Sequence, residues 1–218
     1  MLEKGVYTLT EVAQYTGLHS TTLRYWFLPR ADRSGRGPVF DSDYARVDGD
    51  FAISFLNLVE AYVASFFKKN KVKHRDIRRT HEILKDQLGV SHPFAHASLS
   101  TGLGRIVLEN TEQSKRFIEI IGRQLLFPEF GDGLHRISYN ASTRLADEWQ
   151  VSEGIIVSPT MGFGKPVVMR TGISTLIVAK QYKANGKNAA LVSRLFNIPE
   201  EGVLNAYRFE EQLGRIAA

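Results

Sequence analysis

The sequence predicts a mainly α-helical fold with small β elements, in the α+β class, and two observations carry this prediction. Apolar residues recur at helical spacing near both ends of the chain, in segments that end at glycines. Between these segments lie short apolar runs punctuated by glycine, which are typical of short strands. At 218 residues, 43% of them hydrophobic, the chain is long enough for two packed modules. We therefore predict an amino-terminal domain over residues 1–90, a mixed linker or insert over 91–150, and a carboxyl-terminal domain over 151–218.

The composition excludes several classes of protein and site. No window reaches the roughly 18 to 20 consecutive apolar residues that span a bilayer, and the first residues lack the apolar stretch of a signal peptide. These features predict a cytoplasmic protein with no membrane partner. The sequence contains no cysteine, which excludes disulfides, thiolate metal sites and a cysteine nucleophile. We predict no cofactor and no metal. The net charge of +5 favours a polyanionic partner where the charge is locally dense.

The first module begins with two short helices joined by a glycine. Thr10 is the predicted N-cap of the first helix, and Gly17 ends it. Ser20 and Thr21 are placed to cap a second helix that continues through Trp26. Two short helices with this spacing form a helix-turn-helix.

The segment YTLTEVAQYTGLHSTTLRYW, from Tyr7 to Trp26, resembles the start of the MerR-type winged helix-turn-helix. In such a unit the second helix lies in the major groove of DNA with its amino-terminal residues toward the bases. Leu23 and Trp26 are three residues apart and are expected to face the core. The predicted DNA contacts on the second helix are Ser20, Thr21, Thr22, Arg24 and Tyr25.

The segment PRADRSGRGP, residues 29–38, is the candidate wing of this unit. Its arginines, Arg30, Arg33 and Arg36, suit contacts with the DNA backbone or minor groove, and a flexible surface loop fits the same composition. Phe27, Leu28 and Pro29 stand where the MerR-type family usually has other residues, so the resemblance leaves the geometry of the wing open.

Two longer helices are predicted next, an apolar one within residues 51–67 and another over about 74–88 that ends at Gly89. His81 lies on the apolar face of the second helix and is predicted to be packed in the core. A dense run of cations falls between the two helices, and it fits either phosphate binding or a solvated face. The DNA-contact candidates in this run are Lys68, Lys69, Lys71, Lys73 and Arg75.

The middle segment carries weaker signals. Residues 105–108 and 134–139 are predicted strands, whereas residues 117–127 fit a strand or a helix. His92 and His96 have the i,i+4 spacing of a metal pair, but Pro93 separates them, which favours a loop over a metal site.

In the carboxyl-terminal module, residues 162–165 suggest a phosphate-binding loop at first sight. That motif needs a glycine where Pro159 stands and a hydroxyl residue where Pro166 stands, so nucleotide binding is excluded. The pattern predicts a strand over 166–170 and helices over about 175–184 and 188–196. A last helix follows, with Pro199 at its first position and Val203, Ala206 and Tyr207 facing inward.

Residues 155–212 resemble a small helix-turn-helix domain of VapB-type antitoxins, with a Gly-Lys-Pro-Val strand, a Gly-Ile turn and terminal helices. The combination with a MerR-like amino terminus and the helix around Ser54 to Glu60 is found in larger VapB-type antitoxins. Membership would imply a partner toxin with a PIN-domain ribonuclease fold. Lys187, Asn188 and Arg194 are candidates for a second DNA-binding surface or a partner surface.

Together these features predict a DNA-binding antitoxin of a type II toxin-antitoxin pair. It would bind double-stranded DNA at its own operator as a homodimer, repress its operon and neutralise a PIN-domain toxin. The alternative is a MerR-like transcriptional regulator that responds to a small effector in the middle segment and has no toxin partner. An enzyme is not predicted, because the sequence offers no set of catalytic residues.

Overall fold

A computed structural model describes residues 5–28, 37–44, 51–100, 119 and 128–216 of the chain. The chain forms two compact units. One is Val6–Ala146, and the other consists of Asp147–Ala218 together with Met1–Gly5. Helices dominate the described residues and the strands are short, so the predicted α+β class is confirmed. The described residues of 91–146 belong to the same unit as the predicted amino-terminal domain.

The described part of the first unit consists of helices, one short strand and a 3₁₀ turn at Pro93–Ala95. Its described elements are α1 (Leu9–Thr16), α2 (Ser20–Phe27), α3 (Phe55–Lys69), α4 (His74–Leu88), α5 (Pro128–His135) and β1 (Ile137–Tyr139). The predicted strand over 134–139 is therefore too long by three residues, because Leu134 and His135 still belong to α5 and Arg136 lies in a turn. The candidate segments 105–108 and 117–127 lie outside the described residues, Glu119 excepted, which is helical.

The caps of the first two helices differ from the predicted ones. Thr8, not Thr10, caps α1: its hydroxyl accepts a hydrogen bond from the Glu11 N–H, and the Glu11 carboxylate accepts one from the Thr8 N–H at 3.0 Å. Glu11 stands three residues after Thr8, so only Thr8 completes this reciprocal capping box. His19 caps α2, where its Nδ1 accepts from the Thr21 N–H. Gly17 ends α1 in the left-handed conformation with φ 69°, as predicted.

The core of the first unit is rich in aromatic rings. α3 is buried along most of its length, as its apolar sequence predicts. Phe67 of α3 stacks on Phe94 with their centroids 5.3 Å apart, and Phe40 meets Trp26 edge to face at 5.7 Å. Such contacts add to the free energy gained from burying the rings, so this core holds α2 and α3 in fixed positions.

The second unit carries a small antiparallel sheet and three helices. The strands β2 (Ala146–Ser152), β3 (Ile155–Val157) and β4 (Val167–Val168) pair in order, with Trp149 opposite Val157 and Ile156 opposite Val167. The helices are α6 (Thr175–Ala184), α7 (Ala189–Phe196) and α8 (Glu200–Gln212). Their bounds agree with the sequence pattern to within one residue, except that Pro199 is the N-cap of α8 and not its first helical residue.

Local signals explain these helices. The side chain of Asn188 accepts from the Leu191 N–H at 3.0 Å and so caps α7. Asn197 adopts the left-handed conformation that ends the same helix. Val203 and Ala206 are fully buried and Tyr207 nearly so, which confirms the predicted inward face of α8.

Candidate nucleic-acid interface

The exposed side of α2 carries hydroxyl groups and one guanidinium group. Ser20, Thr21 and Arg24 are exposed, and Thr22 and Tyr25 are half-buried. Leu23 and Trp26 point the other way and have no exposed surface, as their spacing predicts. The side of the helix that is left to solvent therefore offers short hydrogen-bonding groups near its amino terminus and a cation one turn later.

α2 follows α1 through a turn that is fixed by local hydrogen bonds. The Thr16 hydroxyl donates to the Val12 carbonyl at 2.6 Å and accepts from the Leu18 N–H at 3.3 Å. Upstream, Tyr7 pairs with Ile53 in an antiparallel bridge, so the chain before α1 is tied to the chain before α3. The start of the helix-turn-helix is thus attached to the segment before α3.

His74, the first residue of α4, joins α2 to the cationic run. Its Nδ1 lies 2.8 Å from Nε1 of Trp26, and its ring centroid lies 4.5 Å from that of Tyr25. Its other nitrogen, Nε2, lies 3.3 Å from the Lys68 Nζ. The sequence did not single out His74. The available signal was Trp26, because a buried indole N–H needs an acceptor.

The five predicted contact residues at the junction of α3 and α4 are all exposed. We call this group the basic turn: Lys68, Lys69, Lys71, Lys73 and Arg75. The first two lie in the last turn of α3, where the helix dipole favours cations. Arg75 lies 3.6 Å from Asp76, with 63% of its side chain exposed, so this ion pair is weak. The basic turn therefore keeps its positive charge available to a polyanion.

The wing candidates Arg30, Arg33 and Arg36 lie outside the described residues. The chain that follows them, residues 37–44, is anchored to the helices. The N–H groups of Val39 and Phe40 donate to the Trp26 carbonyl at 2.7 and 3.0 Å. Arg78 donates to the carbonyls of Gly37 and Pro38. Hydrogen bonds therefore attach the segment just after the candidate wing to the last turn of α2 and to α4.

A buried network of acids and histidines secures the far end of the same segment. One oxygen of Glu60 lies 2.8 Å from Nε2 of His81, and the other lies 3.1 Å from Nδ1 of His92. Nε2 of His92 in turn lies 3.0 Å from the Asp43 carboxylate. Asn57 donates to the Asp41 carbonyl at 3.0 Å. The network therefore holds residues 41–43 against α3, and His81 is packed as predicted.

Burial and charge act in opposite directions on the pKa values of this network. Burial by itself would raise the pKa of Glu60, but the imidazoles of His81 and His92 outweigh it and lower the pKa to about 2. Burial would likewise lower the pKa of His92, whereas hydrogen bonds to Asp43 and Glu60 raise it to about 9. At neutral pH the His92–Glu60 contact is therefore an ion pair.

His92 and His96, the two histidines with the spacing of a metal pair, make separate contacts. His92 is engaged by the two carboxylates, while His96 accepts from the Ser98 N–H at 3.2 Å. Burial, with Arg144 nearby, lowers the pKa of His96. Among the residues that the structure describes, no group of three or more metal-ligating side chains is arranged to hold a metal ion.

The candidates in the second unit have mixed surroundings. Lys187, at φ 60°, is exposed and places its ammonium group 5.1 Å from the centre of the Tyr207 ring. The Asn188 side chain already caps α7. Arg194 is exposed in the last turn of α7. Two of the three therefore offer charge to solvent, and the third has a structural role.

Comparisons with known proteins give the fold and nothing of the activity. No protein-family model and no curated protein sequence matches the chain. Its structure is similar to the crystal structure of Rv2018 from Mycobacterium tuberculosis, with a TM-score of 0.70 and 22% identity over 92% of this chain and 96% of that one. At that identity the likeness establishes the fold alone. No helix in the described part of the chain combines the length and apolar character needed to cross a bilayer.

Proposed function

We propose that this protein is a sequence-specific DNA-binding regulator in which α2 enters the major groove. The observation that carries the proposal is the junction at His74, which places the exposed hydroxyls and Arg24 of α2 on the same body as the basic turn. A groove-reading helix needs phosphate contacts beside it to fix its register, and a cluster of lysines supplies them. A helix-turn-helix with an adjacent cationic surface has this combination.

In this mechanism the residues of the interface have two kinds of role. Ser20, Thr21 and Arg24 contact base edges or nearby phosphates from the amino-terminal part of α2. The basic turn contacts the phosphate backbone, which raises the affinity for any duplex and makes it depend on salt. The hydroxyls and the guanidinium group supply the preference for one site.

The finer proposal is that the regulator is the antitoxin of a type II pair, which represses its own operon as a homodimer and neutralises a PIN-domain ribonuclease. It rests on the resemblance of residues 155–212 to VapB-type antitoxins. The second unit also exposes apolar side chains suited to a protein partner: Phe163, 79% exposed at a strained φ of 55°, and Leu195, 60% exposed. We expect this protein to act in the cytoplasm.

The test is a fluorescence-anisotropy titration of the purified protein against the DNA upstream of its own gene and against an unrelated duplex, at two salt concentrations. We expect tight binding that prefers the upstream DNA, and weaker, strongly salt-dependent binding to the other duplex. Weak and equal binding to both would contradict the proposal.

The antitoxin function needs a separate test, with the product of the neighbouring gene. We expect a PIN-domain protein encoded there to co-purify with this chain and to lose its ribonuclease activity in the complex. The Phe163→Ala variant should bind that partner less tightly, while Arg24→Ala should leave partner binding unchanged. A DNA-binding protein without such a partner would instead fit a regulator that responds to a small effector.

A further inference from the structure

Helix α7 is apolar in sequence but only slightly buried. Six of its eight residues are apolar, and Val192 is the one that is buried. Leu195 is exposed, and Leu191, one turn earlier on the same side of the helix, is only half-buried. The apolar helix α3, in contrast, is buried along most of its length. The outward side of α7 is therefore an apolar helix face that the described part of the chain leaves uncovered.

Charges of both signs lie beside this face. Arg194 directly precedes Leu195, and Glu200 and Glu201 begin α8 after a turn of three residues. All three charged side chains are exposed, and none makes a hydrogen bond or an ion pair within the part of the chain that the structure describes. The helix dipoles favour a cation at the end of α7 and anions at the start of α8, but they give no reason for an exposed leucine beside them. We call Leu191, Arg194, Leu195, Glu200 and Glu201 the α7–α8 corner.

Local hydrogen bonds fix the shape of the α7–α8 corner. Asn197 ends α7 in the left-handed conformation with φ 52°. The Ser193 hydroxyl donates to the Ile198 carbonyl at 2.6 Å, and the Ile198 N–H donates to the Ser193 carbonyl at 3.1 Å. Ile198 is buried, so the turn is anchored in the second unit. A surface that is already ordered loses little conformational entropy when it binds a partner.

Three large apolar side chains are exposed in the described part of the second unit, and they differ in their surroundings. Phe163 is close to the exposed Lys165, and Ile177 shares one face of α6 with the exposed Lys180. Leu195 has both a cation and anions close to it along the chain. When two copies meet about a twofold axis, each contact between unlike groups occurs twice, so a surface with both signs beside an apolar centre complements itself.

We propose that the α7–α8 corner is the dimer interface of this protein and that its occupant is a second copy of the chain. Leu195 of each copy packs against Leu191 and Leu195 of the other. Arg194 of each copy faces Glu200 and Glu201 of the other. The charge complementarity of the corner with itself selects this occupant.

This inference rests on the homodimer of the proposed function and gives that dimer a surface. It also separates the two exposed apolar side chains that were assigned to protein partners. Leu195 binds a second copy of the chain, and Phe163 stays available to the neutralised ribonuclease. Ala190 is exposed and Leu204 is half-buried, so the apolar area continues along both α7 and α8.

The first test is the mass of the full chain in solution, measured without DNA by sedimentation velocity. We expect the wild type to be a dimer at micromolar concentration. Leu195→Lys places a charge in the apolar centre of both copies and should raise the dissociation constant of the dimer about a hundredfold or more, because the loss occurs twice. Ile177→Lys is the matched control on α6, where the same change to a similarly exposed side chain should leave the dimer intact.

Charge reversal tests which groups face each other. Arg194→Glu brings like charges together across the interface, and so does the double variant Glu200→Lys/Glu201→Lys, so each of these proteins should be monomeric by itself. In a mixture each variant supplies the charges that the other lacks, and the two should form a dimer with one copy of each. A tag on one variant identifies this mixed dimer, and mixing could not recover a variant that had failed to fold. Lys180→Glu, the control on α6, should remain a dimer of identical copies.

A monomeric wild type would overturn the proposal, and so would the absence of a dimer in the mixture of the two charge variants. An intact dimer in Leu195→Lys would also overturn it. If that variant kept its dimer and lost the product of the neighbouring gene, the corner would belong to the ribonuclease instead. The measurement needs no DNA, so the two proposals can fail separately. A dimer through this corner that binds no duplex contradicts the proposed function, whereas a monomer that prefers the upstream duplex supports DNA binding by α2 and overturns this inference.

Discussion

Arg24 is the single charged residue of α2, and it stands one turn beyond the exposed hydroxyls. An arginine that contacts a base edge or a phosphate contributes about 1–3 kcal/mol to binding. We therefore expect Arg24→Ala to weaken binding to the upstream DNA by about tenfold or more, as measured by anisotropy.

The control for this prediction is Arg208→Ala, which removes the same charge from an exposed position on α8. It should leave the affinity for the upstream DNA near that of the wild type. If the two variants lose affinity equally, the effect comes from the net charge of the protein and α2 does not read the DNA.

The network around Glu60 predicts how stability depends on pH. The pKa of His92 is raised in the folded chain from 6.5 to about 9, so its contribution to stability is complete below pH 6.5 and is lost as the pH rises through 9. The pKa of Glu60 is lowered from 4.5 to about 2, so its contribution is lost as the pH falls from 4.5 toward 2. We expect the melting temperature to fall on both sides of this range.

The alkaline part of the pH profile of the melting temperature reports on His92 alone among these two groups. Between pH 6.5 and 9 the wild type should lose several degrees of melting temperature, and His92→Gln, which cannot carry the charge, should have a flatter profile and a lower melting temperature at pH 6.5. Parallel profiles for the two proteins would show that another group causes the loss.

At the scale of single elements, the cap of α1 is a local feature with a measurable share of stability. The Thr8 hydroxyl satisfies the Glu11 N–H, so Thr8→Ala should lower the free energy of unfolding by about 1 kcal/mol. Thr10 is exposed inside the first turn of α1 and serves as the matched control. If Thr10→Ala lowers the free energy of unfolding in urea as much as Thr8→Ala does, the capping box does not cause the loss of stability.

The cations of the basic turn lie at the adjacent ends of α3 and α4, so we expect them to contact DNA phosphates together. Each phosphate contact that is lost lowers the salt slope of DNA binding by about 0.9, so the double variant Lys71→Gln/Lys73→Gln should lower the slope by about two. Lys180 and Lys183 are exposed on α6, and replacing both by glutamine removes the same charge. We expect that control to keep the wild-type slope. An equal decrease in both variants would mean that the second unit also contacts the backbone.

Elements that depend on neighbours in sequence could be predicted, and contacts between distant residues could not. Helix α4 runs from His74 to Leu88 as its apolar period and Gly89 indicate, because period and cap are local signals. His92 meets Glu60 and Asp43, which are 32 and 49 positions away, and no pattern along the chain contains that pairing. The contact of Trp26 with His74, 48 positions away, could not be predicted for the same reason.

The same limit applies to the candidate interface. Helical spacing places Ser20, Thr21 and Arg24 on the exposed side of α2 once Leu23 and Trp26 are assigned to the core. The exposure of these three residues could therefore be predicted from the sequence. The roles of Arg78 and Asn188 could not be predicted from the sequence. An arginine that binds a backbone carbonyl, or an asparagine that caps a helix, is the same residue type as one that is available to a ligand.

At the scale of the whole molecule, the proposed reading of DNA by α2 would have a consequence for the DNA site. A single α2 in the major groove would cover only a few base pairs, and the proposed homodimer would present two copies to half-sites about 34 to 36 Å apart, which is about one turn of B-DNA. The second copy would bind without a further loss of translational freedom, so the affinity of the pair would exceed that of one half-site by orders of magnitude.

Insertions between the half-sites test this arrangement. Five added base pairs turn the second half-site to the opposite side of the duplex, and we expect the affinity to fall to that of a single half-site. Ten added base pairs return the second half-site to the same side of the duplex but double the distance between the half-sites. The affinity that is recovered therefore measures how far apart the two copies of α2 can bind. Light scattering of the complex should give two chains per operator. Equal affinity for all three spacings would mean that each chain binds DNA alone and that specificity resides within one α2 and its basic turn.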